Sequence, residues 1–287
     1  YTYIQRWTTV PGHYPKRGGV VVLPGGAYRF HGNSEGEPVA AAFAAAGYNA
    51  YVLRYSIAPH AAFPNSVGDV CRALRLIRQR GEDWNQDPDK LALCGFSAGG
   101  HVAACAGTMW NREDVLAASG CRGAEGRPNG LILGYPCITV DLEGQGDMYR
   151  LLAGDRPLET LRDLASPEKW VGDHTPPVFL WNIYRDKMVP VEHGLKLQEA
   201  LAAHNIPFEA HTYMNGVHAS ALNTPASSLG DPVRENPHTA RWMEDCLQWL
   251  AQVFGTPELD VPQENMKSLA KDRAHLGIPA FRMEETL

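Results

Sequence analysis

The segment Gly95-Phe96-Ser97-Ala98-Gly99 follows an apolar run at 90–94 and opens a stretch of small residues that extends through Ala106. This order predicts a buried strand, a sharp turn at the serine, and a helix. Such a turn exposes a serine hydroxyl at the end of a sheet, where a histidine can take its proton. A serine between glycines also occurs in ordinary turns. The interpretation of Ser97 as a nucleophile therefore depends on finding an acid and a base elsewhere in the chain.

Short apolar runs like the one before Ser97 recur along the chain, and helical patterns separate several of them. The predicted strands lie at 19–23, 49–55, 90–94, 131–135, 178–183 and 208–213. Continuous apolar runs of this length are typical of a mostly parallel sheet that is covered on both faces. The sequence therefore predicts an α/β fold with helices on both faces of the central sheet.

Helical periodicity marks the segments between these strands. The predicted helices include 34–46, a helix that follows Pro64 and ends near Arg80, 191–204 and 238–254. Ser34 and Glu37 have the spacing of a capping box, which predicts that the first helix begins at Ser34. Two regions rich in Gly, Asp and Pro, 120–130 and 139–173, predict long loops or short helices over the sheet.

Length and composition describe one ordinary globular domain. We expect the whole chain of 287 residues to form a single catalytic domain, with a core at about 19–254 and a polar tail at 255–287. The net charge is -6 without a basic cluster, and no apolar segment reaches the length of a membrane span. We therefore expect neither a nucleic-acid partner nor a membrane partner, and the oligomeric state stays open.

The cysteine pattern bears on redox state and on metals. The six cysteines are Cys71, Cys94, Cys105, Cys121, Cys137 and Cys246. They form no CxxC pair and several lie in apolar runs, which predicts buried free thiols and favours a cytoplasmic location. The chain begins at Tyr1, so a removed signal peptide stays open. Because no HxH, HExxH or clustered Cys/His spacing occurs, we expect no metal and no cofactor.

Two residues downstream of Ser97 lie where the acid and the base that activate a serine nucleophile are expected. Asp186 comes just after the strand at 178–183, and His218 follows the strand at 208–213 after the flexible Gly216. His211 is the rival base, but it lies within a predicted strand. In open α/β sheets, catalytic groups gather where parallel strands end. The order Ser, Asp, His is that of α/β-hydrolases.

The loop after the first strong strand is the candidate for an oxyanion hole. It supplies Gly25 and Gly26, whose backbones can approach a substrate closely because glycine has no side chain. The N–H of Ala98, at the positive N-terminal end of its helix, is the second candidate donor. The alternative for these glycines is an ordinary turn without a catalytic role.

Taken together, these segments give the chain a family resemblance. It resembles the α/β-hydrolase esterases, and among them the bacterial carbohydrate esterases of the acetyl-xylan esterase type, including a bifunctional type with feruloyl esterase activity. The stretches that carry the resemblance are VVVLPGGAY at 20–28, EGEPVA at 35–40, VLRY at 52–55, GFSAGGH at 95–101 and PPVFLW at 176–181.

The resemblance implies that Ser97, Asp186 and His218 are nucleophile, acid and base, with Gly26 and Ala98 as oxyanion donors. Ala27 departs from the family, which usually has a third glycine there, but a backbone donor tolerates this change. The sequence before residue 19 shows only a weak strand pattern. We therefore expect the sheet to have fewer strands than the eight that are usual for this fold.

The predicted function is a cofactor-independent serine esterase that removes acetyl or feruloyl groups from plant polysaccharide such as xylan. Its substrate is a small-molecule or oligosaccharide ester. Tyr28, Trp110 and Trp181 are candidates to contact the sugar or acyl group, although each aromatic ring can instead pack in the core.

Three alternatives stay open. The first is an esterase for other small substrates, and the second is an amidase or peptidase of the same fold. The third is a hydrolase-fold binding protein without catalysis, which the presence of Ser97, Asp186 and His218 argues against.

Overall fold

The computed structural model describes residues 1–4, 16–142 and 146–257. Its centre is a seven-stranded sheet in the order β1-β3-β2-β4-β5-β6-β7, in which only β1 is antiparallel to its neighbour. The strands are β1 Thr2–Tyr3, β2 Arg17–Leu23, β3 Asn49–Val52, β4 Gln86–Phe96, β5 Gly130–Gly134, β6 Val178–Ile183 and β7 Phe208–Tyr213. The prediction of an α/β fold with a mostly parallel sheet is confirmed.

Helices cover both faces of this sheet. They are α1 Glu37–Ala45, α2 Asn65–Gln79, α3 Ala98–Met109, α4 Glu113–Ser119, α5 Gly146–Ala153, α6 Leu158–Leu164, α7 Glu192–Ala203 and α8 Trp242–Phe254. The apolar sides of α2, α3 and α7 belong to the hydrophobic core on one face, and those of α1 and α8 belong to the core on the other.

Strand geometry explains why two cores form. Successive side chains of a strand point to opposite faces of the sheet. On β4, Leu91 and Leu93 therefore pack in one core, and Ala92 and Cys94 pack in the other. All four side chains are fully buried. A sheet that buries both faces needs apolar residues at consecutive positions, which is the pattern visible in the sequence.

Strand order places the site. β2 lies between β3 and β4, so the connection from β3 to β4 crosses over β2, and the strand order reverses there. Ligands in open α/β sheets bind beyond the carboxyl ends of the strands at such a reversal. The loops after β2 and β4, which carry the predicted oxyanion glycines and Ser97, therefore lie side by side.

Several local predictions need correction. Ser34 does not cap α1, because it lies in a separate 3-10 turn, Asn33–Glu35, and donates its hydroxyl to the carbonyl of Ala219. The helix begins at Glu37, with Gly36 as its N-cap. The predicted helix at 238–254 begins later, since the 3-10 turn Thr239–Arg241 precedes α8.

The remaining differences concern the edges of the fold. β7 is a partly exposed edge strand and not a buried one, because it has a neighbour on one side only. The regions 120–130 and 139–173 contain a 3-10 turn at Gly123–Gly126, the helices α5 and α6, and a 3-10 turn at Pro167–Trp170. Residues 258–287 of the predicted tail lie outside the described residues. The single-domain organisation stays a prediction.

Candidate active site

Ser97 occupies a tight turn between β4 and α3. Its backbone has φ 52° and ψ -120°, a conformation that non-glycine residues rarely adopt. The flanking glycines permit it through close backbone packing: a Cβ at Gly95 would lie 2.3 Å from the carbonyl oxygen of Gly99, and one at Gly99 would lie 2.0 Å from that of Leu23. The predicted strand, sharp turn and helix are therefore present, with the serine side chain at the end of the sheet.

The structure brings the three predicted side chains together from loops after three different strands. The Ser97 hydroxyl is 2.9 Å from Nε2 of His218, and Nδ1 of His218 is 2.7 Å from Oδ2 of Asp186. The three residues form a continuous hydrogen-bonded chain although 121 positions separate the serine from the histidine. Their catalytic roles stay a prediction, but the geometry is that of a nucleophile, a base and an orienting acid.

Asp186 is held as an anion by its surroundings. Its side chain is fully buried, and Oδ1 accepts hydrogen bonds from the backbone N–H groups of Met188 and Val189. Burial acts to raise the pKa of Asp186, but the hydrogen bond and charge of His218, together with the two N–H groups, outweigh it and lower the pKa. An ionised Asp186 fixes a proton on Nδ1 of His218, which leaves Nε2 free to accept the serine proton.

The oxyanion loop, residues 24–28, only partly matches its predicted role. The N–H of Gly25 donates to the Glu35 carboxylate at 2.7 Å, so it is not available to an oxyanion. For the N–H groups of Gly26, Ala27 and Ala98, no hydrogen-bond partner is seen within the described residues. Gly26 and Ala98 therefore stay candidate donors, and Ala27, with φ 52°, joins them.

A second carboxylate lies beside this site. Glu35 is only 1% exposed and accepts hydrogen bonds from Gly25 and from the hydroxyl of Tyr135, the latter at 2.8 Å. The ring of Tyr135 packs against the imidazole of His218 with 4.9 Å between centroids. Sequence reasoning missed both residues: the EGEPVA motif was a signal for Glu35, but the capping-box interpretation drew attention to Ser34 and Glu37.

A thiol also contacts the candidate nucleophile. Cys137 is 2% exposed, follows β5, and forms a side-chain hydrogen bond with Ser97. Burial raises the pKa of the Cys137 thiol to about 12, so it stays protonated at neutral pH. All six cysteines lie in the described residues, are buried and form no disulfide, which confirms that part of the sequence prediction.

The three predicted aromatic contacts lie elsewhere. Trp181 is fully buried and stacks on Trp242. Tyr28 is 1% exposed, and its hydroxyl is 2.6 Å from Nδ1 of His101. Trp110 follows the far end of α3, about 20 Å from Ser97 along the helix axis. These placements do not support a role for the three rings in substrate contact.

The other histidines near the sheet have structural partners. His101 lies between the Tyr28 hydroxyl and the carbonyl of Ala165, and burial lowers its pKa to about 4. His211, the rival base, pairs with Glu209 on β7 and has no contact with Ser97 among the described residues.

The described residues contain neither a candidate membrane span nor a candidate metal cluster. No helix there is both long enough and apolar enough to cross a membrane. No group of three or more His, Cys, Asp or Glu side chains is arranged to hold a metal ion in the same part of the chain.

Known proteins resemble this chain in sequence and in structure. The profile of the BD-FAE family matches residues 13–126, which include Ser97 and the oxyanion loop. Endo-1,4-beta-xylanase B of Butyrivibrio fibrisolvens is 37% identical over 207 residues, which make up 71% of this chain and 32% of that protein. The chain spans less than half of the length of the curated relatives that it matches.

Two solved structures match over most of their length. MGS-M1, an α/β-hydrolase enzyme from a Medee basin deep-sea metagenome library, is 31% identical with a TM-score of 0.72, and the match covers 88% of this chain and 90% of that one. The acetyl ester-xyloside bifunctional hydrolase from Caldicellulosiruptor lactoaceticus is 30% identical with a TM-score of 0.72, and the match covers 86% of each chain. With its mostly parallel sheet and its nucleophile turn, the chain belongs to the α/β-hydrolase family of carboxylic ester hydrolases.

Proposed function

We propose that this chain is a serine esterase that removes acetyl or feruloyl groups from plant polysaccharide such as xylan, through an acyl-enzyme on Ser97. The observation that carries the proposal is the hydrogen-bonded chain from Ser97 through His218 to Asp186, with contacts of 2.9 Å and 2.7 Å. A serine hydroxyl is a poor nucleophile until a base removes its proton, and this arrangement supplies the base and its orienting acid.

In the proposed reaction, His218 takes the proton of Ser97 while the serine oxygen attacks the ester carbonyl. The tetrahedral oxyanion is stabilised by the N–H groups of Gly26, Ala27 and Ala98. His218 then returns the proton to the departing sugar oxygen, which leaves the acyl group on Ser97. A water molecule, activated in turn by His218, releases the acid, and Asp186 stabilises the imidazolium in both halves of the reaction.

The polysaccharide substrate rests on relatives and not on a pocket. One relative is named a xylanase, and a solved relative is named an acetyl ester-xyloside hydrolase. Since one fold hosts many substrates, an esterase for other small esters, an amidase and a peptidase stay alternatives. The choice between acetyl and feruloyl groups also belongs to the proposal.

The test is the release of acetate from acetylated xylan and of ferulate from methyl ferulate, by the intact protein and by Ser97→Ala. We expect release by the intact protein and a loss of at least about a thousandfold in kcat for the variant. If the intact protein releases neither acid but reacts with a fluorophosphonate, the serine site stands and the polysaccharide assignment is wrong. If Ser97→Ala keeps the activity, the proposed mechanism is wrong.

A further inference from the structure

Glu35 is a buried carboxylate next to the proposed triad that the mechanism above does not use. It ends the 3-10 turn Asn33–Glu35, and its side chain points between the oxyanion loop and the loop of His218. Burying a carboxylate is costly unless its oxygens are satisfied by hydrogen bonds. A buried Glu35 is therefore expected to have a hydrogen-bond partner on each oxygen.

Both oxygens of Glu35 face donors. Oε2 accepts from the N–H of Gly25 at 2.7 Å, and Oε1 accepts from the hydroxyl of Tyr135 at 2.8 Å. The Tyr135 oxygen in turn accepts the N–H of Ala221 at 3.0 Å. An N–H can only donate, and a tyrosine has one proton to give, so this pattern is fully satisfied by an ionised carboxylate.

One end of this network fixes the oxyanion loop against the nucleophile. A Cβ built on Gly25 would lie 2.9 Å from Cβ of Ser97 and 2.8 Å from Oε2 of Glu35. The backbone of Gly25 is therefore confined between the two side chains. By holding this N–H, Glu35 anchors the start of the oxyanion loop. The next two peptides carry the candidate donors of Gly26 and Ala27, and they are held in turn by hydrogen bonds to the carbonyls of Gly25 and Gly26 from the N–H groups of residues 29, 30 and 32.

The other end fixes the histidine loop, residues 216–223. Ala221 reaches Glu35 through Tyr135, and Ser34, from the same turn as Glu35, donates to the carbonyl of Ala219 at 3.1 Å. Ala219 is the residue directly after His218 and has φ 63°, so its conformation needs outside support. One short turn thus holds the loops of both the base and the oxyanion donors.

The charge of Glu35 also acts on the imidazole. Burial raises the pKa of Glu35 above its ordinary value, and the Tyr135 hydrogen bond, the charge of His218 and the N–H of Gly25 offset only part of that rise. The groups in contact with His218 are the carboxylate of Asp186, the hydroxyl of Ser97 and the ring of Tyr135. The hydroxyl of Tyr135 binds Glu35, and Arg234 binds the carbonyl of Ala219 next to the histidine. Glu35 is thus a second carboxylate near the imidazole, joined to it through Tyr135.

We infer that Glu35 is a positioning residue that links the oxyanion loop to the histidine loop and stabilises the imidazolium formed during ester cleavage. The inference rests on the proposed function. Glu35 touches no reacting atom; it acts through Gly25, Tyr135 and its charge.

The decisive variant is Glu35→Gln, assayed on p-nitrophenyl acetate across pH. The amide of the new glutamine turns an N–H₂ group toward one of two donors, the N–H of Gly25 or the hydroxyl of Tyr135. The substitution also removes the negative charge of the carboxylate. We expect kcat to fall about tenfold to a hundredfold with KM within about twofold. We also expect the acidic limb of the kcat/KM profile to move to lower pH, because losing an anion disfavours the protonated imidazole. A purely structural role would leave that limb in place.

Two further variants complete the design. Glu37→Gln, which changes an exposed carboxylate two residues along, is the matched control and should stay within about twofold of the intact protein. Tyr135→Phe removes the link between Glu35 and Ala221 but keeps the ring on His218. This variant tests the inference in place of Glu35→Gln if that protein does not fold. We expect a smaller loss from Tyr135→Phe and non-additive effects in the double variant.

The inference is overturned if Glu35→Gln keeps more than half of kcat, or if its acidic limb does not move. Its failure differs from failure of the proposed function. If the intact protein cleaves no ester, the rate of fluorophosphonate labelling of Ser97 replaces kcat, since labelling needs the activated serine and the oxyanion donors but no particular substrate. An equal labelling rate in Glu35→Gln then overturns the inference alone.

Discussion

The carboxyl edge of the sheet and its interior follow opposite rules. In the interior, β2, β4 and β5 bury apolar side chains in regular strand geometry. At the edge, the chain buries carboxylates and a histidine, and it bends into unfavourable backbone. Seven non-glycine residues with positive φ lie in the loops around the site: Ala27, Tyr28, Ser97, Tyr135, Ala219, Ala221 and Asn223.

The difference shows what a stable core makes possible. Each such backbone conformation costs on the order of 1 kcal/mol or more and persists only where the surroundings fix it. The interior supplies the fixed framework, because every loop at the edge is anchored to a strand of the same sheet. We therefore expect changes at the edge to reduce activity with little loss of stability, and changes in the interior to do the reverse.

The largest expected effect is at the edge, in Asp186→Asn. The oxygen of the new amide can keep the N–H groups of Met188 and Val189, which turns its N–H₂ toward His218. That imidazole must then present an acceptor to the amide and a proton to Ser97, so it cannot act as a base. We expect kcat to fall about ten-thousandfold while the circular dichroism spectrum is retained.

Asp155→Asn is the control for this variant, because Asp155 is exposed in the loop between α5 and α6. It should keep kcat within about twofold. A loss of less than about tenfold in Asp186→Asn would mean that this carboxylate does not orient the base.

The next effect is in the interior, in Leu93→Ala. Leu93 is fully buried on β4, four positions before Ser97. Removing its side chain leaves a cavity, and we expect the free energy of unfolding to fall by about 2–5 kcal/mol. Activity per folded molecule should stay within about threefold, as measured by denaturant titration and by kcat at low temperature.

Leu76→Ala changes the same residue type on α2, where the side chain is 48% exposed, and should cost about 0.5 kcal/mol or less. If Leu93→Ala kept its stability but lost activity, the division between interior and edge would not hold.

The smallest effect concerns pH and His193, which lies on α7 below the edge. Its Nδ1 accepts the N–H groups of Ile138 and Thr139, and burial, with a smaller effect of the charge of His101, lowers its pKa to about 4. The ordinary pKa of histidine is 6.5, so at a pH between these two values His193 is protonated in the unfolded chain and neutral in the folded chain. Stability from this group is complete above pH 6.5, is lost progressively as the pH falls from 6.5 to about 4, and falls no further below that.

Between pH 7 and pH 5 this loss is about 2 kcal/mol, and Tm should fall by about 5 °C from His193 alone. His193→Asn places an oxygen where Nδ1 accepted its two bonds but has no group that titrates. We expect the fall in Tm between pH 7 and pH 5 to be smaller by that amount. An unchanged fall would show that His193 is not protonated differently in the folded and unfolded states.

Sequence reasoning reached the fold and the three central side chains for the same reason. Continuous apolar runs mark strands that are buried on both faces, and a parallel sheet gathers whatever follows those strands at one edge. Ser97, Asp186 and His218 each follow such a run, so knowing the strands was enough to place them together. The edge strand β7 was misjudged as buried although Glu209, His211 and Thr212 interrupt its apolar residues, a pattern that a strand buried on both faces does not show.

The sequence by itself determined the layered fold and the approximate location of the site, because both depend on periodicity and on short-range turn chemistry. Only the tertiary structure decided which hydrogen-bond donors and acceptors near the site are paired with each other. Glu35 takes the N–H of Gly25 ten positions away, Tyr135 meets Glu35 across one hundred positions, and Ser34 bonds Ala219 instead of capping a helix. Such contacts depend on loops from distant strands meeting in three dimensions, and no local pattern specifies which donor will face which acceptor.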